Sequence, residues 1–178
     1  MAYYHGQMNR IQKLLDEGHT KTLRDEIIMY VGQSPKRMKE LMSFFFHEKW
    51  RYNQRSAWAV GEIGVFSPDM IQPYLAKMLE GLDNAKHIAI VRNTIKVYSE
   101  IAIPEDLEGE LFDRCMKYVE DTKAAIAVRC YSVNVLETIA SKYPELQEDL
   151  VAILSEHMPH GSAGFKYRCR RAIKRFSK

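Results

Sequence analysis

Residues 126–142 read IAVRCYSVNVLETIASK, and this stretch decides the fold. Its apolar side chains cover most of a helical circumference, and an arginine, Arg129, lies near its start. Similar stretches surround Arg55 (YNQRSAWAVGEIG), Arg92 (IAIVRNTIKVYSEIA) and Arg168 (FKYRCRRAIKRF). The spacings are 37 residues from 55 to 92, 37 from 92 to 129 and 39 from 129 to 168. A period of this size predicts stacked helical repeats rather than one globular core.

Prolines mark the start of a second type of helix in each repeat. Pro35 and Pro68 each follow a serine, which is a good N-cap residue, and proline in the first helical turn loses no hydrogen bond. One such helix is expected from Pro68 to Leu82. Two further helices are expected from Pro104 to Glu120 and from Pro144 to Glu156. We call these proline-led helices A helices, and the arginine-bearing helices that follow them B helices.

Short turns join the A and B helices, so about five antiparallel pairs are predicted. We expect a single domain over 1–178, with a loose terminus at 1–6 and a degenerate pair at 7–33 whose helices span 7–17 and 20–31. Four full repeats are expected at 34–66, 67–103, 104–143 and 144–178. No stretch shows the strict alternation of a β-strand.

The repeat resembles the HEAT repeat family. Val128-Arg129 after Asp121 is the best match, followed by Val91-Arg92 after Asp83; Arg55 after Glu48 is a weaker match. The resemblance covers 34–177 and implies an all-α, right-handed α-solenoid with no sheet. It also implies that Arg55, Arg92 and Arg129 form a structural arginine ladder; the alternative is that the same arginines contact a ligand. A buried arginine needs an acid or a carbonyl partner, and Glu48, Asp83 and Asp121 are the expected acids.

Composition points to a protein of the reducing cytoplasm. Hydrophobic residues make up 46% of the chain, and no apolar run approaches the roughly 20 residues of a membrane-spanning helix. The N-terminal residues lack the apolar core of a secretory signal. The cysteines Cys115, Cys130 and Cys169 form no CxxC pair and fall within predicted helices, which favours buried free thiols.

The net charge of +3 implies no partner, but the charges are unevenly distributed. Residues 100–121 contain eight acids and two bases, whereas 165–178 contain seven bases and no acid. On the last helix, cations oppose an apolar stripe: Arg168, Arg170, Arg171, Lys174 and Arg175. This face suits phosphates or an acidic protein surface, and it equally suits a solvated capping helix.

Aromatic residues supply a second candidate surface. Trp50 belongs to a cluster with Phe44, Phe45 and Phe46, which is expected to form the core of the first full repeat. An exposed part of that cluster would suit partner docking. Trp58, on the following B helix, is a further candidate binding residue.

No catalytic or metal-binding motif is evident. His157 and His160 lie close together, but a proline intervenes and no third ligand is apparent. The chain has no glycine-rich phosphate loop, GxSxG elbow or Cys–His nucleophile arrangement. We therefore expect neither an enzyme nor a cofactor.

Two functions remain open. In the first, a non-enzymatic scaffold binds an acidic or apolar segment of another protein on a concave face lined by B helices. In the second, the array binds nucleic acid, as the HEAT-like DNA glycosylases of similar architecture do, with phosphate contacts from Lys86, Lys96, Lys123 and the basic last helix. No motif matches the catalytic acid of those glycosylases, which favours the scaffold.

Overall fold

A computed structural model describes residues 9–177. Within this range the chain forms α-helices and short 3-10 turns without any β-strand, which confirms the predicted all-α fold. The helices are α1 Arg10–Glu17, α2 Lys21–Val31, α3 Pro35–Phe45, α4 Trp50–Phe66, α5 Pro68–Ile71, α6 Leu75–Glu80, α7 Ile88–Tyr98, α8 Glu105–Glu120, α9 Ile126–Ala140, α10 Gln147–His157 and α11 Ala163–Phe176. The predicted loose terminus and the predicted start of the first helix at residue 7 lie outside the described residues.

Side-chain caps explain several of the helix starts. The hydroxyl of Thr20 accepts a hydrogen bond from the Leu23 N–H at 3.2 Å, and the Ser162 hydroxyl accepts one from Phe165 at 3.3 Å. Ser34 caps α3 in the same way, with Pro35 in the first turn. These caps satisfy backbone donors that a helix start leaves unpaired. The order of proline-led A helices and arginine-bearing B helices follows the sequence prediction.

Two predicted helices are interrupted near prolines. The prediction of one helix from Pro68 to Leu82 is wrong, because a 3-10 turn at Gln72–Tyr74 separates α5 from α6. Pro73 has no N–H to donate, and its ring clashes with the carbonyl four residues earlier. The helix predicted to begin at Pro144 likewise starts with a 3-10 turn, Pro144–Leu146, before α10 begins.

The chain divides into two compact units. The division along the sequence falls within α7, between Asn93 and Thr94. In the first unit, α4 packs against α2, α3 and α5, and α1 packs against α3. The core contains mainly aliphatic side chains, with Phe45 among the largest fully buried ones. Helices α4 and α7 approach closely at Gly61, where a Cβ atom would lie 2.5 Å from Asn93 Oδ1.

In the second unit, α9 packs against α8, α10 and α11, and α8 packs against α10. Helix α9 is therefore covered on several sides, as its broad apolar surface predicts. Phe165, Cys169 and Ala172 form the buried side of α11. Cys115, Cys130 and Cys169 are free and buried, which confirms the prediction for the three cysteines.

Candidate binding surfaces

Arg129 is buried and binds a backbone carbonyl. Its Nε and Nη2 atoms donate hydrogen bonds to the Val119 carbonyl at 3.2 Å and 2.8 Å, and its guanidinium lies 4.1 Å from the centre of the Phe165 ring. The predicted pairing with Asp121 is wrong, because the Asp121 carboxylate accepts from the Lys123 N–H instead. Val119 lies in the last turn of α8, where carbonyls lack helical partners and the helix dipole favours a cation.

Arg55 binds a different helix in a similar way. Its Nη1 atom donates hydrogen bonds to the carbonyls of Leu15 and Asp16, in the last turn of α1. The expected partner Glu48 lies instead 4.0 Å from Lys86. Arg92 is exposed on α7. Arg129 and Arg55 therefore bind carbonyls at helix ends, whereas Arg92 is exposed, and a common structural role for all three stays a prediction.

The less buried side of α4 carries a stripe of polar and aromatic side chains. Arg51, Arg55, Trp58 and Glu62 follow one another at helical spacing, and none of them is buried. We call these four residues the α4 stripe. The side chains at most other positions of the helix, including Ala57, Val60 and Ile63, form its buried side.

Trp58 lies between Arg24 and His19. The Arg24 guanidinium is 4.4 Å from the indole ring centre, and the His19 ring is 5.6 Å away with an interplanar angle of 56°. Arg24 also lies 3.9 Å from Glu62, one turn further along α4. These contacts fix the indole ring but leave it only partly covered, as a binding surface requires.

Trp50 is half exposed at the start of α4. Its indole stacks on the His87 ring at 5.8 Å and 17°, and the Arg51 guanidinium lies 5.5 Å from the indole. A cavity of about 350 Å³ opens beside it, lined by Asp16, Glu48, Lys49, Trp50, Arg51 and Tyr52. The predicted aromatic cluster is therefore divided: Phe44 and Phe45 are buried, whereas Trp50 is 50% exposed.

Positive charge collects around His19. Partial burial beside Trp58 lowers the pKa of His19, and the nearby charges of Arg55, Arg92 and His87 lower this pKa further. A lowered pKa keeps the imidazole neutral near pH 7. The sequence did not indicate that Arg55, Arg92 and His87 affect His19, because these residues come from separate helices and the loops before them.

The cations of α11 fall into two groups. Arg171 donates hydrogen bonds to Glu137 Oε2, at 2.9 Å from Nε, and to Asn134 Oδ1 at 3.0 Å. Arg175 lies 3.4 Å from Glu137 Oε1, and Glu137 itself is buried. These two arginines therefore hold α11 against α9.

The remaining cations of this predicted face are oriented differently. Arg168 donates to the Gly164 carbonyl at 3.2 Å within its own helix. Arg170 and Lys174 are exposed one turn apart, and neither forms a hydrogen bond or ion pair with any residue from 9 to 177. Among the five cations of the predicted α11 face, only this pair is available to an external anion without loss of a hydrogen bond or ion pair within residues 9–177.

A buried carboxylate in the second unit was also missed. Glu108 is buried and accepts hydrogen bonds from Lys142 and from the Tyr143 hydroxyl, the latter at 2.8 Å. The bond to Glu108 raises the pKa of Tyr143. In the sequence, Glu108 is one of eight acids between 100 and 121, and its apolar neighbours Leu107 and Leu111 were the only signal of burial.

Neither a metal-ligand cluster nor a membrane-spanning helix is present among residues 9–177. Among residues 9–177, no group of three or more His, Cys, Asp or Glu side chains could hold a metal ion. No described helix combines the length and the hydropathy that crossing a bilayer requires.

Consecutive paired helices without any strand among residues 9–177 define the architecture of a helical repeat protein. A family model of the HEAT repeat domain matches residues 11–176, and the chain therefore belongs to this family. Comparisons with curated proteins and with solved structures gave no match. HEAT repeats form helical scaffolds that generally mediate protein interactions.

Proposed function

We propose that this protein is a non-enzymatic scaffold that binds an acidic segment of another protein. The binding surface consists of the α4 stripe together with Trp50 and His87 in the first unit. The observation that carries the proposal is the partial exposure of Trp50 and Trp58, each beside an arginine. Tryptophan and arginine dominate the binding energy of many protein interfaces.

The charge of this surface selects the partner. Arg51 and Arg55 of this surface carry permanently charged guanidiniums, whereas the carboxylate of Glu62 lies 3.9 Å from Arg24. A segment with acidic and apolar side chains would pair its carboxylates with the guanidiniums and pack its apolar groups on the indoles.

The buried reactive groups of the second unit support a non-enzymatic role. Burial raises the pKa of Cys115 to about 12 and that of Cys169 to about 11, so neither thiol is a nucleophile at neutral pH. Free thiols also fit the reducing cytoplasm, which we propose as the location.

The test is affinity capture from nuclease-treated lysate of cells that produce the protein. We expect wild-type protein to retain specific proteins that Trp50→Ala loses. Phe66→Ala is the matched control, because Phe66 is an exposed aromatic residue at the other end of α4 and is 80% exposed. Absence of specific capture from the nuclease-treated lysate, or capture that survives both Trp50→Ala and Trp58→Ala, would contradict the proposal.

Nucleic-acid binding is the second candidate, favoured by the exposed pair Arg170 and Lys174 on α11. Duplex binding through this pair would weaken steeply as salt is added, because each phosphate contact releases a counterion. The diagnostic variant carries both Arg170→Ala and Lys174→Ala. It leaves the contacts of Arg171 and Arg175 with Glu137 intact. Micromolar duplex binding at about 150 mM salt, lost in this variant, would replace the scaffold proposal.

A further inference from the structure

Another cavity of the first unit lies between two loops that connect helices. The first loop, 46–49, joins α3 to α4, and the second loop, 81–87, joins α6 to α7. The cavity has a volume of about 350 Å³. We call it the loop cavity. Its lining includes Phe45, Phe46, Glu48, Asn53, Lys77 and Lys86.

The loop cavity adjoins the surface at Trp50. Lys86 Nζ lies 4.0 Å from Glu48 Oε2, and the His87 ring stacks on the Trp50 indole, so both contacts join the two loops. Glu48 lines both the loop cavity and the cavity beside Trp50. A segment of a partner protein that contacts Trp50 can therefore continue into the loop cavity.

Asn53 supplies a buried acceptor without a partner. The residue lines the loop cavity and is 2% exposed. Its Nδ2 atom donates hydrogen bonds to the carbonyls of Phe45 at 3.0 Å and His47 at 2.8 Å, which fixes the orientation of the amide. Asn53 Oδ1 has no hydrogen-bond partner among residues 9–177. A ligand with an N–H donor would supply what this acceptor lacks.

Oδ1 is also shielded from solvent. A donor therefore reaches it only with a small displacement of loop 46–49, whose carbonyl at His47 already binds the same amide. This loop should consequently respond when a ligand binds.

Lysines give the loop cavity an excess of positive charge. Lys77 and Lys86 are exposed, and Glu48 is the only acid among the lining residues. Lys77 Nζ lies 4.5 Å from the centre of the Phe46 ring and forms no ion pair with any residue from 9 to 177. The contact of Lys86 with Glu48 is a long one between exposed groups and is therefore weak. Both ammonium groups are available to a carboxylate.

The remaining lining is apolar. Phe45 and Ile90 are buried residues of the lining, and Phe46 contributes its ring beside Lys77. The methylene groups of an acidic side chain can pack on this apolar part while the carboxylate stays with the lysines.

We propose that the loop cavity binds an acidic residue of the partner segment. The carboxylate of that residue pairs with the lysines of the lining, and its main-chain N–H donates to Asn53 Oδ1. The proposal deepens the scaffold function and rests on it for the presence of an acidic segment. Trp50 then contacts a neighbouring apolar residue of the same segment, because Glu48 lines both cavities.

Two short peptides test the site on the full chain. Acetyl-Glu-Leu-Glu-amide carries the proposed groups, and acetyl-Gln-Leu-Gln-amide has nearly the same size without the charges. Each peptide is titrated into isotope-labelled protein and followed by amide NMR spectra. We expect the acidic peptide to cause saturable shifts of the Asn53 side-chain amide and of the backbone amides at 46–49 and 81–86. The neutral peptide should bind at least about threefold more weakly.

Variants of the protein test the lysines. Lys77→Gln and Lys86→Gln each remove one ammonium group and should each weaken binding of the acidic peptide about threefold. Lys36→Gln is the matched control, because it removes an exposed lysine of α3 that does not line the loop cavity, and it should leave the affinity unchanged.

A variant of the peptide tests Asn53, because a change of Asn53 itself would also remove the bonds of its Nδ2 atom. Methylation of both glutamate nitrogens removes the proposed donors and should weaken binding at least about threefold. Retained affinity of the methylated peptide would overturn the role of Asn53.

The loop cavity as a site would be overturned by any of three results. These are the absence of saturable shifts at 46–49 and 81–86, equal affinities for the acidic and neutral peptides, and equal losses in Lys77→Gln and Lys36→Gln. None of them would affect capture of proteins from lysate through Trp50. Failure of the site is therefore distinguishable from failure of the scaffold function.

Discussion

The guanidinium of Arg129 forms two hydrogen bonds with the carbonyl of Val119, from Nε at 3.2 Å and from Nη2 at 2.8 Å. These bonds join α9 to the last turn of α8. A side chain of the B helix therefore caps the C-terminal end of the A helix in this pair. A cation is well suited to this position, because the helix dipole places negative charge there.

Arg129→Ala should destabilise the protein by about 2–3 kcal/mol, because the buried Val119 carbonyl loses both bonds and Phe165 loses a cation–π contact. Arg92→Ala, 37 residues earlier at the corresponding arginine, should change stability by less than about 0.5 kcal/mol, because Arg92 is exposed. Urea denaturation of both variants tests this difference. Equal losses would show that the two arginines share one role.

Arg171→Ala should destabilise the protein by about 1–2 kcal/mol, because it leaves the buried Glu137 carboxylate with only the longer contact to Arg175. Arg170→Ala removes the neighbouring charge and should be close to neutral, since Arg170 is exposed. Thermal denaturation of this pair separates the structural cations of α11 from the available ones. A larger loss in Arg170→Ala would contradict the division.

Gly61→Ala should destabilise the first unit by about 1–3 kcal/mol, because the added Cβ would lie 2.5 Å from Asn93 Oδ1 in a buried contact. Gly109→Ala is the opposite case. No atom lies within 4 Å of a Cβ placed there, so the better helix propensity of alanine should stabilise the protein by about 0.5–1 kcal/mol. Chemical denaturation that shows a stabilised Gly61→Ala would disprove the close approach of α4 and α7.

The pKa of His19 in the folded protein lies below the ordinary value of 6.5. Below about pH 6.5 the unfolded chain therefore binds more protons at this position, and stability decreases as the pH falls. Above that pH the contribution is constant, since His19 is neutral in both states. His19→Gln should reduce the decrease in Tm between about pH 7.5 and about pH 5. An unchanged decrease would show that His19 titrates normally.

Much of the fold could be predicted from the sequence, because helix starts and buried faces depend on local signals. Helix α9 spans Ile126–Ala140, within the stretch that defines the repeat, and α8 begins after Pro104 as expected. Pro73 was the exception, since a proline inside a predicted helix can end the helix, bend it or, as here, convert one turn to a 3-10 conformation.

The candidate sites were harder to predict, because their contacts join residues that are distant in sequence. The sequence shows the charges near Arg129, but it does not show that the nearest acceptor is the free carbonyl of Val119. Glu137 and Arg171 lie 34 residues apart, and their pairing depends on how α11 packs against α9. The lowered pKa of His19 similarly depends on partial burial and on charges from α4 and α7, which are distant from it in sequence.

Site-specific photo-crosslinking tests the central claim most directly. A photoreactive amino acid would replace Trp50, Trp58 or, as the control, Phe66, in cells that produce the protein. The scaffold account predicts protein adducts from positions 50 and 58 that resist nuclease, and few or none from position 66. Adducts with nucleic acid, or equal yields of protein adducts at all three positions, would contradict the account.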